Sequence, residues 1–555
     1  MRSLQQSLND HNLILLRVIA EWVGLDLTGT DKAAAVDTLA QMMAQIDLRE
    51  ELEEAQPEEA QALLALMSQG GRLPVATFSR DYGDIRPMGP GRLEREEPWL
   101  DPVNAAEALW YRGFIYRAFD TTGDVHVEYI YIPTEMMARL PATPDAPPMP
   151  VAAAPVLPPA DPPTTITAAP NDAVDDLTTL LAFAHHTGLH ADRLAGLDDL
   201  LLHPDRPRRS LLLTLADEMG LVRRQGDDLR PTRAAMDWLQ GSREQQLRAM
   251  VDAWSQSGWN ELRRTPGLLC EGEGWQNDPI LARTALLDAL PRADGWRRVT
   301  DLLTAVKDTD PDFQRPDGNY DTWYIRDEAT HQYLTGFADW DQVEGRLLTF
   351  LLQGPLHWLG MIDLATDPAE GSPLVRLTER ALAWLYDQPP SDDEVRVPLV
   401  VQPDATLLVP HNASRLDRFQ AARIAEAAPV GGDRLYPYRL TPSSLAAAQE
   451  QGISPERVLE FLAKASGRPV PASVRRGLTR WSENGVEGRL QSVVVLRVGD
   501  PAILETLRAN PKTRDYLGES LGDLAVALRP GDWATFREAT AQLGLLLDSD
   551  GSLLA

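Results

Sequence analysis

The chain has one cysteine, Cys270, and only four lysines, Lys32, Lys307, Lys464 and Lys512. A single thiol excludes an intramolecular disulfide framework and any zinc site built on several thiolates. None of the lysines follows the glycine of a G-x-x-x-x-G-K-[ST] loop, so no phosphate-cradling motor is recognisable. No G-x-S-x-G elbow is present either, and no catalytic function, cofactor or small-molecule substrate is expected. Apolar runs of about 20 residues are missing, which argues against a membrane-spanning helix. Polar and acidic residues interrupt the apolar stretch of Met1 to Trp22, so it does not read as a signal peptide, and a cytoplasmic location is expected.

What is present is a chain of 555 residues, 43% hydrophobic and 24% charged, with a net charge of -29. At about 150 residues per domain this length predicts three to five units, each able to bury a core. Such a charge repels a phosphate backbone if spread evenly, but from Pro398 onward basic and acidic residues balance. The negative excess therefore lies upstream, as a solubilising surface or as a face for a basic partner. Any contact with nucleic acid is expected in the C-terminal block.

Proline marks the clearest boundary. "PATPDAPPMPVAAAPVLPPADPPTTITAAP", from Pro141 to Pro170, cannot supply ladder hydrogen bonds and predicts a solvated, extended linker. A second break falls at "DQPPSDDEVRVP". The predicted division is 1–47, 48–140, a linker at 141–171, 172–245, 246–392 and 393–555, with an α+β, mainly helical fold.

One order of elements recurs three times: helix end, strand, turn, strand, helix start. It runs from Leu109 to Leu140 with a helix opened by Pro133-Thr134. It recurs from Leu215 to Leu239, with Gly220 ending a helix, a turn at Gln225 to Asp228, and Thr232 as N-cap. The third copy, Leu356 to Leu385, has Gly360, a loop at Gly371, and Thr378 as N-cap. This order resembles the back half of a winged-helix unit. Between the second and third copies lie Trp254, Trp259, Trp275, Trp296, Trp323 and Trp340, read as core or as a base-stacking platform. At the N terminus, Leu15 to Met43 resembles the SAP motif, with a helix ending at Gly24-Leu25, a Gly29-Thr30 turn, Lys32, and a helix bearing Val36 and Leu39. It departs from that family by one extra residue before the lysine and by acidic residues where basic ones aid DNA binding.

The block after the second break opens with "VVQPDATLLVP", read as a strand, a turn at Gln402-Pro403-Asp404, and a strand. Helix starts follow at Thr441-Pro442 and Ser454-Pro455, then an arginine-bearing helix from Pro471 to Trp481, a buried strand from Ser492 to Val498, and another helix. With "YRLT", "GISPERVLEFL", Pro469, Pro471, Trp481 and "VVLRVGDPAILETL", this block resembles the helicase-associated domain at the N terminus of XPB-type DNA repair helicases. The resemblance covers roughly the last quarter of the chain. It implies a domain that engages damaged or distorted DNA beside an ATPase motor, here without the motor.

Other constellations carry less. His186 and His190 stand one helical turn apart, but no further ligand completes a metal site. "DTDPDFQRPDGNYD" has Phe313 and Asn319 where a calcium loop needs glycine and glutamate, and "DSDGSL" reads as a turn. Cys270 has acidic neighbours that raise a thiol pKa. The remaining candidates are Arg468, Arg475, Arg476, Arg480, Arg489 and Arg497, with Glu483 and Glu487 the acids among them and Trp481 placed to stack. They predict a phosphate-contacting face. The expected partner is DNA, with a separate helicase or nuclease subunit as the alternative; a winged-helix transcriptional regulator is a weaker one.

Overall fold

The computed structural model describes residues 2–548 apart from 123–124, 139–156, 188–193, 227, 316, 369–370, 392, 432–433, 486–492 and 530. The N-terminal stretch forms α1 (Leu13–Trp22) and α2 (Lys32–Met43), capped by Asn12 and Asp31, whose carbonyl-type oxygens each accept a backbone N–H at 2.9 Å. Gly24 and Gly29 take left-handed φ values between them. Lys32 Nζ donates to the Asn9 carbonyl at 2.7 Å, so the single lysine of the SAP-like stretch serves an internal contact.

The first repeat comprises α3 (Pro57–Ser68), β1 (Arg72–Pro74), α4 (Val75–Tyr82), α5 (Ala105–Tyr111), the hairpin β2 (Tyr116–Thr122) and β3 (Val125–Tyr131), and one turn of helix, α6 (Thr134–Met137). β1 pairs with β3, giving sheet order β1-β3-β2. The proline-rich stretch that follows is not solvated throughout. Pro141 to Val156 lies outside the described residues, but Leu157 is buried, Ala160 N–H donates to the Trp296 carbonyl at 2.9 Å, and β4 (Ile166–Thr167) pairs with Leu364 and Ala365. Ile166 and Thr167 sit in a gap between prolines, where the backbone keeps the donors a sheet edge needs.

The second repeat has α7 (Ala173–Thr187), α8 (Arg206–Glu218), the hairpin β5 (Val222–Gln225) and β6 (Asp228–Pro231), and α9 (Arg233–Gln240), followed by α10 (Arg243–Gln256). Gln225 and Asp228 face each other as the last rung, so the turn is shorter than predicted: Gly226 and residue 227, the latter outside the described residues. His186 lies in α7, and His190 is outside the described residues. β7 (Leu268–Cys270) then leads to the third repeat: α11 (Pro279–Ala289), β8 (Arg297–Arg298), α12 (Val299–Thr309), α13 (Arg346–Leu351) flanked by π turns, the hairpin β10 (Ile362–Thr366) and β11 (Pro373–Leu377), and α14 (Glu379–Leu385). β9 (Ile325–Asp327) pairs with β7. β8 pairs with β11, as β1 does with β3 in the first repeat, and each of these strands runs straight into a helix beginning at valine.

The repeats share atomic detail. Gly113, Gly220 and Gly360, all left-handed, end the helix before each hairpin. The next N–H returns to the helix each time: Phe114 to Leu109 at 3.0 Å, Leu221 to Ala216 at 2.8 Å, Met361 to Leu356 at 2.8 Å. Thr378 Oγ1 accepts from Ala381 N–H as an N-cap should, whereas Thr232 caps no amide with its side chain. Both hydroxyls donate back to the glycine carbonyl, Thr232 to Gly220 at 2.7 Å and Thr378 to Gly360 at 3.0 Å. The helix stop and the next helix start are thus clamped together.

A pair of substitutions separates conformation from space. A Cβ on Gly220 meets nothing within 4 Å, whereas one on Gly360 falls 2.7 Å from the Pro170 carbonyl oxygen. Gly220→Ala is expected to cost about 1 kcal/mol through its left-handed φ alone. Gly360→Ala adds a clash with backbone and should cost about 3 kcal/mol. Denaturation midpoints of the two variants check this ordering.

The six tryptophans are all buried, and Trp275 and Trp323 stack at 4.9 Å, so they are core rather than a platform for bases. Asp312, from the aspartate-rich loop, accepts hydrogen bonds from Thr77, Arg80 and Tyr320. Cys270 is half-buried, and burial, not its acidic neighbours, pushes its thiol up to about 11.

The block after Pro398 opens with β12 (Val400–Val401), β13 (Thr406–Pro410), α15 (Arg415–Ile424), β14 (Glu426–Ala427) and β15 (Leu435–Arg439), in sheet order β12-β13-β15-β14. The first turn is tightened at Ala405, which takes φ 68°, while Asp404 Oδ1 accepts from Thr406 N–H at 3.1 Å. This sheet does not stand alone as residues 393–555 were expected to. The chain divides into Met1–Ser444 with Phe461–Pro469, and Leu445–Glu460 with Val470–Ala555.

The reason is a buried ionic cluster within the larger unit. Asp175 on α7 lies between two guanidinium groups. Arg243 Nη1 donates to its Oδ2 at 2.7 Å, and Arg418 Nη1 on α15 to its Oδ1 at 3.3 Å. Arg418 also bonds Thr179 and Tyr438 and lies 3.4 Å from the Tyr436 ring centroid. Arg415 binds Glu394, Gln246 and the Gly241 carbonyl. The first sheet of the C-terminal block is therefore built into the second repeat.

Beside this cluster, Asp172 and Asp176 share Arg208. Burial raises both carboxyls, but His203 and Arg208 outweigh it at Asp172 and hold that group well below the usual range. Asp176 is pushed up to about 6, chiefly by burial. A carboxyl raised on folding takes up a proton, so its contribution to stability improves as pH falls through about 6 and is least favourable above that. Asp172 titrates too low to enter this window. Asp176→Asn should therefore be more stable than the unaltered chain at about pH 8, by up to about 3 kcal/mol, with the difference shrinking as pH falls below about 6 and closing only below about pH 4, where the unfolded carboxyl is protonated too. Thermal midpoints of both proteins across that range check the sign.

Candidate nucleic-acid interface

The smaller unit takes in part of α16 (Pro442–Glu450) and of α17 (Pro455–Ser466), then α18 (Ala472–Asn484), β16 (Val495–Arg497), α19 (Pro501–Ala509), β17 (Leu517–Ser520), β18 (Ala525–Leu528) and α20 (Trp533–Gln542). Its sheet has the order β16-β18-β17, and Leu496, Leu504, Leu507, Val526, Leu528 and Phe536 form a core against it. The predicted buried strand, Ser492 to Val498, is shorter: three residues, with only Leu496 buried, and Ser492 outside the described residues.

α18 carries the main candidates. Pro471 precedes the helix and fixes its entry, and Gly485, at φ 68°, ends it. Val474 and Leu478 are its buried residues, with Trp481 half-buried one further turn along the same stripe. Trp481 therefore belongs to the apolar face, not to an exposed stacking surface. Arg475, Arg476 and Arg480 fall on the exposed face. Arg476 Nε donates only to the Ala472 carbonyl, at 3.3 Å, and neither Arg475 nor Arg476 forms an ion pair among the described residues.

The other predicted residues do not join them on this helix. Arg497 is exposed on β16, opposite Ala525. Arg468 is exposed but belongs to the larger unit. Arg489 and Glu487 lie outside the described residues. Arg475 and Arg476 differ in kind from many other arginines in the chain: Arg208, Arg243, Arg283, Arg315, Arg415 and Arg418 are buried and paired with carboxylates. A buried, paired guanidinium is structural, whereas an exposed and unpaired one keeps its donors for an external anion. Sequence reasoning missed the buried set. Its signal is an arginine spaced three or four residues from apolar positions, as Arg415 and Arg418 are from Phe419 and Ala422.

Residues 399–522 match the family model described as helicase conserved C-terminal domain, a stretch running from the start of the β12–β15 sheet to just after β17 and including all of α18. A DNA 3'-5' helicase XPB of Kineococcus radiotolerans (strain ATCC BAA-149 / DSM 14245 / SRS30216) is 32% identical over 159 residues, 26% of this chain and 27% of that helicase. The chain thus spans about a quarter of the length of the relative it matches. Residues 399–522 are, by the first of these likenesses, similar to a helicase domain, and α18 with its exposed arginines lies inside them.

Proposed function

We propose that the chain is a non-catalytic DNA-binding accessory protein of the helicase or DNA-repair type, whose C-terminal block corresponds to the N-terminal helicase-associated domain of XPB-type enzymes. The observation that carries this reading is the exposed arginine face of α18 within the helicase-like segment, where Arg475 and Arg476 form no ion pair among the described residues. Phosphates are the ligands such a face suits, since each contact needs only one accessible guanidinium.

The three repeats act as winged-helix scaffold in this account. The order of helix, strand, helix, helix and hairpin, with the short strand paired to the far hairpin strand, supports that assignment in the first and third repeats. The helix before the hairpin is mostly interior in both: Ala105 to Leu109 and Tyr111 in α5, and Leu347, Leu348, Phe350 and Leu351 in α13. A helix in that state packs and does not enter a groove. This favours a scaffold over a winged-helix transcriptional regulator. The acidic upstream surface supports a second role, docking a basic helicase or nuclease subunit.

Photo-cross-linking of the intact protein to DNA, followed by peptide mapping, tests the placement. Cross-links concentrated in Ala472–Asn484 are expected; cross-links confined to Pro279–Leu385 would sink it. ATP hydrolysis by the purified chain, stimulated by DNA, would overturn the non-catalytic reading.

A further inference from the structure

A cavity of about 410 Å³ opens in the larger unit where the residues ahead of α1 meet the first repeat. That volume suits a small molecule and is too small for a folded segment. Leu15, Ile85 and Leu93, all buried, and the half-buried Met88 and Trp110 make most of its wall apolar. Arg86 and Arg117 also line it, and their charges are in different states. Arg86 is neutralised: Nε and Nη2 donate to the two carboxylate oxygens of the buried Glu107 at 2.5 and 2.6 Å. Arg117, on β2, forms no ion pair among the described residues; its Nη2 donates to the Ile85 carbonyl at 3.3 Å, and its Nε is buried without a partner. His11 Nε2 is likewise buried without a partner, in a ring held by Tyr116, stacked at 5.2 Å, and by Trp110, edge-on at 4.8 Å. Burial pushes that imidazole down to about 4, so near neutral pH it adds no second positive charge. The acid at the rim, Asp10, is exposed and paired with Arg2 at 2.6 Å.

We propose that this cavity binds a small aromatic monocarboxylate, with its ring among Trp110, Met88 and Leu93 and its carboxylate on the Arg117 guanidinium. The charge count selects the anion. One uncompensated guanidinium in an apolar wall matches one negative charge, whereas a phosphate monoester would hold a surplus charge out of water close to Asp10. A planar guanidinium also fits the paired oxygens of a carboxylate. The wall selects the ring: an indole and a thioether make edge, face and sulfur contacts with an aromatic body that an aliphatic chain does not return. Polar atoms buried without partners are rare in folded proteins, and Arg117 and His11, which line this one cavity, each carry one. A bound polar group answers that shortfall, whereas a gap left by imperfect packing is lined by apolar atoms alone.

This binding requires neither DNA nor the α18 arginines. Isothermal titration calorimetry of the full chain with naphthoate, with naphthamide as its uncharged counterpart and with naphthyl phosphate as the dianion, tests it. Naphthoate should bind about tenfold or more tighter than the amide, and tighter than the phosphate. Arg117→Gln should weaken naphthoate about tenfold and leave the amide unchanged, whereas Arg117→Lys, which keeps the charge but not the planar fork, should still prefer the acid. Arg475→Ala with Arg476→Ala should alter neither ligand, which separates this site from α18. Where a lowered thermal midpoint shows that Arg117→Gln folds poorly, the acid-to-amide ratio of the unaltered chain and of Arg117→Lys decides the question. No binding of naphthoate, equal affinity for acid and amide, a preference for the phosphate, or undiminished naphthoate affinity in a folded Arg117→Gln variant would overturn the proposal.

Discussion

Asp175→Ala is expected to destabilise the larger unit by about 3–5 kcal/mol, a large part of the stability of most folded proteins. The carboxylate is about 1% exposed and is the common partner of Arg243 and Arg418, whose side chains are 7% and 3% exposed. Its loss leaves two like charges facing each other without the anion between them, at the junction of α7, α10 and α15. The carbonyls of Asn171 and His411 and the Tyr438 hydroxyl still engage the guanidinium groups, but none carries the compensating charge. Arg418→Met should cost a similar amount, since it leaves Asp175 with one partner and Thr179 with none from α15. The double variant should be less destabilised than the sum of the two, because the residues act as one unit. Urea denaturation followed by tryptophan fluorescence measures all three. Additive losses would show that the cluster does not join the first C-terminal sheet to the second repeat.

Arg283→Met should cost about as much, for a related reason. Arg283 is 1% exposed on α11, and every guanidinium nitrogen is occupied. It donates to Glu261 at 2.7 and 3.0 Å, and to the carbonyls of Trp254, Ser257 and Trp259 at 2.5, 2.7 and 2.5 Å. Without it, three buried carbonyls lose a donor and Glu261 is left with the Trp254 indole N–H at 2.9 Å and its own backbone N–H. Burial already raises the Glu261 carboxyl, so it would take up a proton in the variant. Arg283→Lys should rescue little, because three donors on one nitrogen cannot reproduce a planar fork. Replacing Glu261 and Arg283 together with leucine and methionine should recover much of the loss.

Those two clusters also mark where the sequence stops being readable. The glycine stops at Gly113, Gly220 and Gly360 and the Thr378 cap were legible, because each rests on local backbone chemistry. β1 and β8 were not, because two or three residues carry no period and their pairing is set by distant partners. β4 was hidden among prolines. Ala405 was hidden differently: its left-handed turn has no glycine to announce it, and Asp404 holds it instead. Arginine was the largest source of misreading. A composition count treats Arg208, Arg243, Arg283, Arg415 and Arg418 as surface charge, whereas each is paired with an acid distant in sequence, which only the tertiary fold reveals.

The candidate site was legible to about the extent that helix periodicity allows. Val474 and Leu478 fix the inward face of α18, and Arg475, Arg476 and Arg480 fall outside it. The same periodicity places Trp481 on the inward stripe. That Arg468 belongs to the other unit was not legible, because it depends on how the chain divides.

The measurement that bears most directly on the account is the affinity of the intact chain for labelled duplex, forked and single-stranded DNA at low salt, with Arg475→Ala, Arg476→Ala and Arg480→Ala combined as the comparison. The account predicts measurable binding by the intact chain, and for the variant a loss of affinity on every sequence with the salt slope reduced by about 2–3 and the thermal midpoint unchanged. No binding by the intact chain, or equal binding by the two proteins, would contradict it.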